Sequence, residues 1–244
     1  MDFFDRQWST YRRVVDHDLM EHRALTAATA AALEGWLAQR PQGSSPPHMV
    51  DLGCGDLALL APLLRRLPLG SYLGLDLSAP VLPRAAAQLQ GVPYPCAWRE
   101  QDLLSWALEQ SVSGDPGSAT TGPVDLIHSS FALHHLNADE KGRFLSAVRH
   151  RLAPTGMLLW ADVFREPRES RDDYVARYVR RIQHGWQALA ADEQQQVIDH
   201  LSSFDHPADA AAIQHAAEAC GWSWRWLWRG RHRAEALAAL TPVG

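Results

Sequence analysis

An α/β domain, with a mostly parallel sheet and helices on both faces, is the fold class this sequence predicts. Three observations carry the prediction. Short apolar segments alternate with longer helical ones from His48 to Phe164, and alternation of this kind closes into a parallel sheet through right-handed crossovers. The first strand runs into a glycine turn, Gly53-Cys54-Gly55, where the backbone is free to approach a ligand closely. The length of 244 residues lets the chain bury roughly 70% of its unfolded surface, enough for one substantial core.

The elements follow in order. Phe4, Trp8, Tyr11 and Val15 recur at helical spacing on one face, and Ala24 to Leu37 is alanine-rich and helix-forming. Residues 1–40 therefore predict a helical arm, which the Pro/Gly/Ser stretch 41–47 separates from a main domain over 48–244. The spacing then predicts a strand at 48–52, a helix over 56–67, a strand at 71–77, a helix over 79–90 and a strand at 94–99. A short helix over 103–110, a loop over 111–123 and a strand at 124–130 come next. A helix over 138–152 follows the cap candidate Asn137, then a turn at 154–156 and a strand at 157–164. Residues 167–219 read as a helical cap, broken near 202–207. At the end, Trp222, Trp224, Trp226 and Trp228 alternate with other residues. That period of two predicts a strand with four tryptophans on one face, read as core in preference to a base-stacking platform.

Composition excludes several classes. The net charge is −5 and Lys141 is the single lysine, which disfavours a nucleic-acid binder. Three cysteines, Cys54, Cys96 and Cys220, suit a reducing compartment and not a disulfide framework. The N-terminus lacks a secretory pattern, and no apolar run approaches ~20 residues. A cytoplasmic protein without a membrane span is expected, as a monomer or homodimer. His17, Glu21 and His22 fall on the arm, but their spacing suits a metal poorly, and no metal is expected.

The chemistry concentrates at Val50-Asp51-Leu52-Gly53-Cys54-Gly55-Asp56. The helix predicted after this turn offers free N–H groups. Asp76 ends the second strand, where a carboxylate can accept both ribose hydroxyls. Two cofactor classes fit. Gly53 to Ala58 satisfies the dinucleotide pattern G-x-G-x-x-A. Against it, Asp51 would repel a pyrophosphate but hold an ammonium, and Asp102 follows the third strand where an acid reaches an adenine amino group. A Tyr-x-x-x-Lys pair is impossible, because residue 137, four before Lys141, is asparagine.

The chain resembles the class I S-adenosylmethionine-dependent methyltransferases. Val50 to Asp56 matches their glycine-rich motif, Asp76 the ribose-binding acid and Asp102 the adenine-binding acid. Asp125 to Leu136 matches the fourth-strand motif, and Leu152 to Leu158 the turn into strand five. The resemblance implies a Rossmann-like seven-stranded sheet with one antiparallel strand, closed by a hairpin over 221–240. It implies S-adenosyl-L-methionine as cofactor and S-adenosyl-L-homocysteine as product. Cofactor contacts are expected from Asp51, Gly53, Cys54, Gly55, Asp76, Leu77, Asp102, Leu103, Ser129 and Phe131, with Arg23 a candidate partner for the cofactor carboxylate. His128-Ser129-Ser130-Phe131 replaces the Asn/Asp-Pro-Pro-Tyr/Phe box typical of enzymes acting on DNA-base amines. A small-molecule acceptor, methylated on N or O in a pocket lidded by arm and cap, is the reading.

His134 is a candidate general base, the alternative being a structural start to the next helix. Tyr11 is a catalytic candidate from the arm, and Asp162 at the end of strand five a candidate to orient an amine. Trp8, His135, Trp160, Tyr174 and Tyr178 are candidate substrate contacts, with packing as the alternative. Two other functions stay open: an NAD(P)-dependent oxidoreductase on the same glycine turn, and a non-catalytic methyltransferase-like subunit.

Overall fold

The computed structural model describes residues 3–109 and 123–243, with side chains from residue 9 onward. Most of the loop predicted over 111–123 lies outside the described residues. Five strands form the parallel part of the sheet: β1 His48–Leu52, β2 Ser71–Asp76, β3 Cys96–Glu100, β4 Val124–Ser130 and β5 Leu152–Arg165. A two-residue strand, β6 Ala208–Asp209, pairs in parallel with the end of β5. The chain closes with β7 Trp222–Arg229 and β8 Glu235–Pro242. Strand order is β3-β2-β1-β4-β5-β8-β7, with β8 antiparallel to both neighbours. This is the expected seven-stranded sheet with one antiparallel strand, plus β6. β1 and β2 are short apolar runs because helices cover both faces.

On one face, α5 Leu103–Leu108, α6 Ala138–Arg151 and α9 Ala210–Ala219 bury Trp106, Phe144, Val148 and Ile213 against Leu52, Ile127 and Trp222. On the other, α2 His22–Ala38, α3 Ala61–Leu64 and α4 Leu82–Gln88 bury Leu33, Leu64 and Ala85 against Met49, Tyr72 and Leu159. The arm helix α1 Phe3–Asp16 and the cap helices α7 Arg171–Gly185 and α8 Ala191–Phe204 share a third cluster, in which Val14 meets Tyr178, Trp186 and Leu201. Polar contacts join arm to cap: Thr10 Oγ1 donates to Gln196 Oε1 at 3.1 Å, and Arg13 pairs with Glu193 at 2.7 Å. Asn137 caps α6 as expected, in a reciprocal box with Glu140.

Five expectations change. The helix predicted over 56–67 shrinks to α3. Asp56 Oδ1 accepts the Ala58 N–H at 3.0 Å and Leu57 takes φ +60°, so the chain turns before it coils. The turn expected at 154–156 is a bulge inside β5, where the register steps from Val124↔Leu152 to Leu126↔Met157. The third strand begins at Cys96 and not at residue 94. The cap ends with α8, because α9 packs into the sheet core. The tryptophans do not share one face: a register shift between Trp226 and Trp228 moves Trp228 to the opposite core, while Trp222 and Trp224 stay in the first.

Candidate functional site

The glycine turn is shaped by close packing. Gly53 has φ +71° and Gly55 φ +56°, conformations a Cβ penalises. A Cβ on Gly53 would lie 2.5 Å from the Ala132 Cβ, whereas one on Gly55 would meet nothing within 4 Å. The Gly53 and Cys54 N–H groups both donate to the Leu75 carbonyl, at 2.8 and 2.9 Å. Asp76 completes the turn, accepting the Gly55 N–H on Oδ2 at 2.9 Å and the Ser78 N–H on Oδ1 at 2.8 Å. A carboxylate has about four acceptor positions, so both oxygens keep capacity for a further donor. Burial raises the Asp76 pKa, and those backbone bonds oppose the rise. Gly53→Ala is expected to cost about 1–3 kcal/mol of stability through strain and the Ala132 contact, read as a lower Tm in thermal unfolding.

Asp51 lies buried beneath the turn. It accepts the Tyr72 hydroxyl at 2.8 Å and meets His128 Nδ1 at 2.8 Å, so both oxygens hold protein partners and order the loop. Cys54 is buried beside it, its thiol pushed up by burial and then by the Asp51 and Asp76 charges.

Two cavities share the turn as a wall. The larger, about 380 Å³, runs from Gly53, Gly55 and Asp76 to His134, His135 and Asp205. Cap residues Tyr174, Tyr178, Trp186 and Val197 and arm residue Tyr11 line it between these ends. The smaller, about 90 Å³, lies under the arm, between His22, Arg12, Asp51, Asp56 and Phe131. Tyr11 borders both and is 42% accessible for that reason. Desolvation, followed by the Asp56 charge, pushes its phenol up to about 12.

At the far end, His134 Nδ1 lies 2.6 Å from Asp162 Oδ1 and Nε2 lies 3.6 Å from Asp205 Oδ1. Burial opposes its protonation, but the Asp162 charge and hydrogen bond, joined by Asp205, hold its pKa above the ordinary value. Asp162 in turn accepts Trp160 Nε1 at 3.0 Å and the Val163 N–H at 2.8 Å. Burial would raise its pKa; the His134 charge and these bonds hold it low. His135 is pushed down to about 3 by burial, then by His134 and His200.

The structure brings together Gly53, Gly55, Asp76, Phe131, Tyr11, His134, His135, Tyr174 and Tyr178 around the larger cavity, and Asp51 and Cys54 around the smaller. It places other candidates elsewhere. Arg23 is exposed and donates to the Asp16 carbonyl at 3.2 Å; among the described basic side chains of the arm it is Arg12 that reaches the turn, pairing with Asp56 at 3.0 Å. Ser129 is fully buried and donates to the Leu52 carbonyl at 3.1 Å, leaving Ser130 as the lining residue. Asp102 caps α5 through the Ser105 N–H at 2.7 Å, and Leu103 packs on the core. Leu77 is 69% exposed and lines neither cavity. Asp162 and Trp160 are buried behind His134, so Asp162 orients the imidazole and not an amine, and Trp160 packs on Phe164 and Trp224. Trp8 belongs to α1, but its side chain lies outside the described residues.

Sequence reasoning missed His200 and Asp205, which lie at the cap break, and Arg12. It weighed His22 only beside His17 and Glu21 as a poorly spaced metal set; that ring is 2% exposed. No helix among the described residues is long and apolar enough to cross a membrane.

Comparison with known proteins bears on the same region. Residues 50–158 match a family model described as a methyltransferase domain. A trans-aconitate 2-methyltransferase of Acidovorax sp. (strain JS42) is 35% identical over 122 residues, covering 50% of this chain and 40% of that protein. A malonyl-[acyl-carrier protein] O-methyltransferase of Magnetococcus marinus (strain ATCC BAA-1437 / JCM 17883 / MC-1) is 32% identical over 124 residues, 49% of this chain and 41% of that protein. The chain thus spans well under two thirds of the length of these relatives. Among solved structures, the plantazolicin methyltransferase BpumL complex aligns with TM-score 0.61 at 12% identity, covering 96% of this chain and 91% of that one. The DhpI–SAH complex aligns with TM-score 0.54 at 20% identity, covering 97% and 95%. At such identities the structural matches speak to the fold alone. The matched segment carries the glycine turn, the strand-end acid and the fourth-strand motif in order, on a sheet of the expected topology: residues 50–158 are a methyltransferase domain, of the S-adenosylmethionine-dependent class I kind that the motifs resemble.

Proposed function

We propose that this protein transfers a methyl group from S-adenosylmethionine to an N or O atom of a small, largely apolar acceptor. The observation that carries the reading is one continuous cavity, with the glycine turn and Asp76 at one end and His134 at the other. The residues fit the cofactor. Asp76 keeps acceptor capacity for two ribose hydroxyls, Gly55 leaves open space where a side chain would stand, and both nitrogens of His22 lack a hydrogen-bond partner beside the smaller cavity. Asp76, Gly53, Gly55 and Phe131 would hold it, with His22 and Asp51 at its polar end. When bound, the cofactor supplies a methyl group already activated by a sulfonium.

The chain's part is mostly positioning, which by itself accounts for large rate gains when reacting atoms are held ~3 Å apart. Tyr174, Tyr178, Trp186 and Val197 form an apolar wall for the acceptor. The Tyr174 hydroxyl is buried without a partner, so an acceptor that bonds to it is selected over one that cannot. Tyr11 stays protonated at neutral pH and serves as a donor from the arm. Asp162 fixes the His134 ring so that its Nε2 edge marks the polar end, where the acceptor's reacting atom sits.

The test is S-adenosylhomocysteine formation from S-adenosylmethionine across panels of apolar amines, phenols and alcohols. Turnover with one of these classes supports the reading. Turnover confined to polyacids overturns the acceptor class, and cofactor binding without turnover on any panel returns the non-catalytic alternative. Tyr11→Phe is expected to lower turnover about 10-fold, the loss of one hydrogen bond of ~1.4 kcal/mol, with cofactor affinity unchanged. Wild-type rates would return Tyr11 to packing.

A further inference from the structure

We infer that His134, His135 and Asp205 form a binding site for one divalent transition-metal cation of the zinc or cobalt type. The donors converge from two separate parts of the chain: the histidines follow β4, and Asp205 ends the cap after α8. His134 Nε2 lies 3.6 Å and His135 Nδ1 3.7 Å from Asp205 Oδ1, and all three ligand atoms fall within 4.8 Å of one another. Donors held ~2.0–2.2 Å from a tetrahedral cation stand roughly 3.3–3.6 Å apart, so the cluster needs little adjustment to close on an ion.

Two further observations point to a ligand. Asp205 is 8% exposed, yet its Oδ1 has no hydrogen-bond partner; the surrounding imidazole nitrogens are too distant to bond it directly. A buried carboxylate oxygen in that state carries a desolvation cost that a cation would remove. Asp162 also binds His134 Nδ1 at 2.6 Å, the carboxylate–histidine arrangement that fixes a metal ligand's tautomer and turns Nε2 toward the ion. His200 Nε2 lies 3.5 Å from the same Asp205 oxygen, outside the trio.

The donor set selects the cation. Two imidazoles and a carboxylate suit zinc, cobalt or nickel, whereas calcium and magnesium prefer oxygen alone. All three residues line the larger cavity, so a fourth position is open to water or to an acceptor atom, as in catalytic sites. Cation binding stands on these donors alone. Its use as a Lewis acid toward the acceptor rests on the methyl-transfer reading.

The test titrates the metal-free full chain with Co²⁺, following visible ligand-field absorption and isothermal heats, with S-adenosylhomocysteine thermal shifts run in parallel. The expected result is a single site whose absorption disappears in His135→Gln and in Asp205→Asn and persists in His17→Gln, an exposed residue of the arm. His135 is half-exposed, so its variant folds even if the Asp205 variant does not. Asp162→Asn is expected to weaken Co²⁺ binding about 10–100-fold. Absence of a single-site absorption, or equal binding in His135→Gln, overturns the site and leaves an ion-pair cluster. A thermal shift without Co²⁺ binding overturns the site alone; Co²⁺ binding without a thermal shift supports the site and overturns the cofactor reading.

Discussion

Asp76→Ala is expected to weaken S-adenosylhomocysteine binding by about 100-fold or more. The carboxylate is the acceptor at the end of β2 best placed for two ribose hydroxyls, and charge-assisted bonds contribute ~1.5–3 kcal/mol each. The same side chain holds the Gly55 and Ser78 N–H groups, so the substitution also frees the turn. Asp76→Asn separates the two effects: its carbonyl oxygen retains one backbone bond, while the amide replaces the second acceptor with a donor. Calorimetric titration of both variants, beside their unfolding temperatures without ligand, checks the assignment. Affinity preserved in the folded alanine variant would remove Asp76 from the ribose site.

The second large effect is loss of stability in acid, to which His22 contributes a separable part. Its ring is 2% exposed, packs edge-on to Phe131 at 5.3 Å and has no hydrogen-bond partner at either nitrogen. Burial, with Arg181 adding repulsion and Asp18 opposing, pushes its pKa down to about 4. The unfolded chain binds a proton near the ordinary value of 6.5, whereas the native ring resists until about pH 4. Stability is therefore retained above pH 6.5 and falls as pH drops from 6.5 toward 4. At ~1.4 kcal/mol per pH unit the loss is roughly 3 kcal/mol, or about 6–12 °C in Tm for a chain of this size. Unfolding of the wild type and of His22→Leu at several pH values across that window checks it. The leucine variant should lose this part of the slope; parallel curves would show that His22 does not carry it.

The burial of His22 is not legible in the arm's sequence. On a helix wheel His17, Glu21 and His22 look like a solvated polar face, and His17 and the arm's Arg23 are exposed. His22 turns inward because α2 begins there, after Glu21 at φ +58°. That entry angle is set by where the arm docks. The tryptophan strand fails in the same way. Its period of two is real from Trp222 to Trp226, but the bulge before Trp228 depends on pairing with β8. Asp102 shows a local signal with a different use: an acid after a strand is equally an N-cap, and the chain uses it as the cap of α5.

The parallel sheet, the glycine turn, the strand-end acid and the cap of α6 are legible in the residue order, because each depends on residues a few positions apart: apolar periodicity, a φ that needs glycine, a side chain reaching a nearby N–H. Folding alone makes His134 lean on Asp162, returns Asp205 from the cap to face both histidines, and brings Arg12 and not Arg23 to the turn. Those contacts join segments far apart in the chain. Crossovers and burial bring them together, and no local period encodes how the cap closes over the sheet.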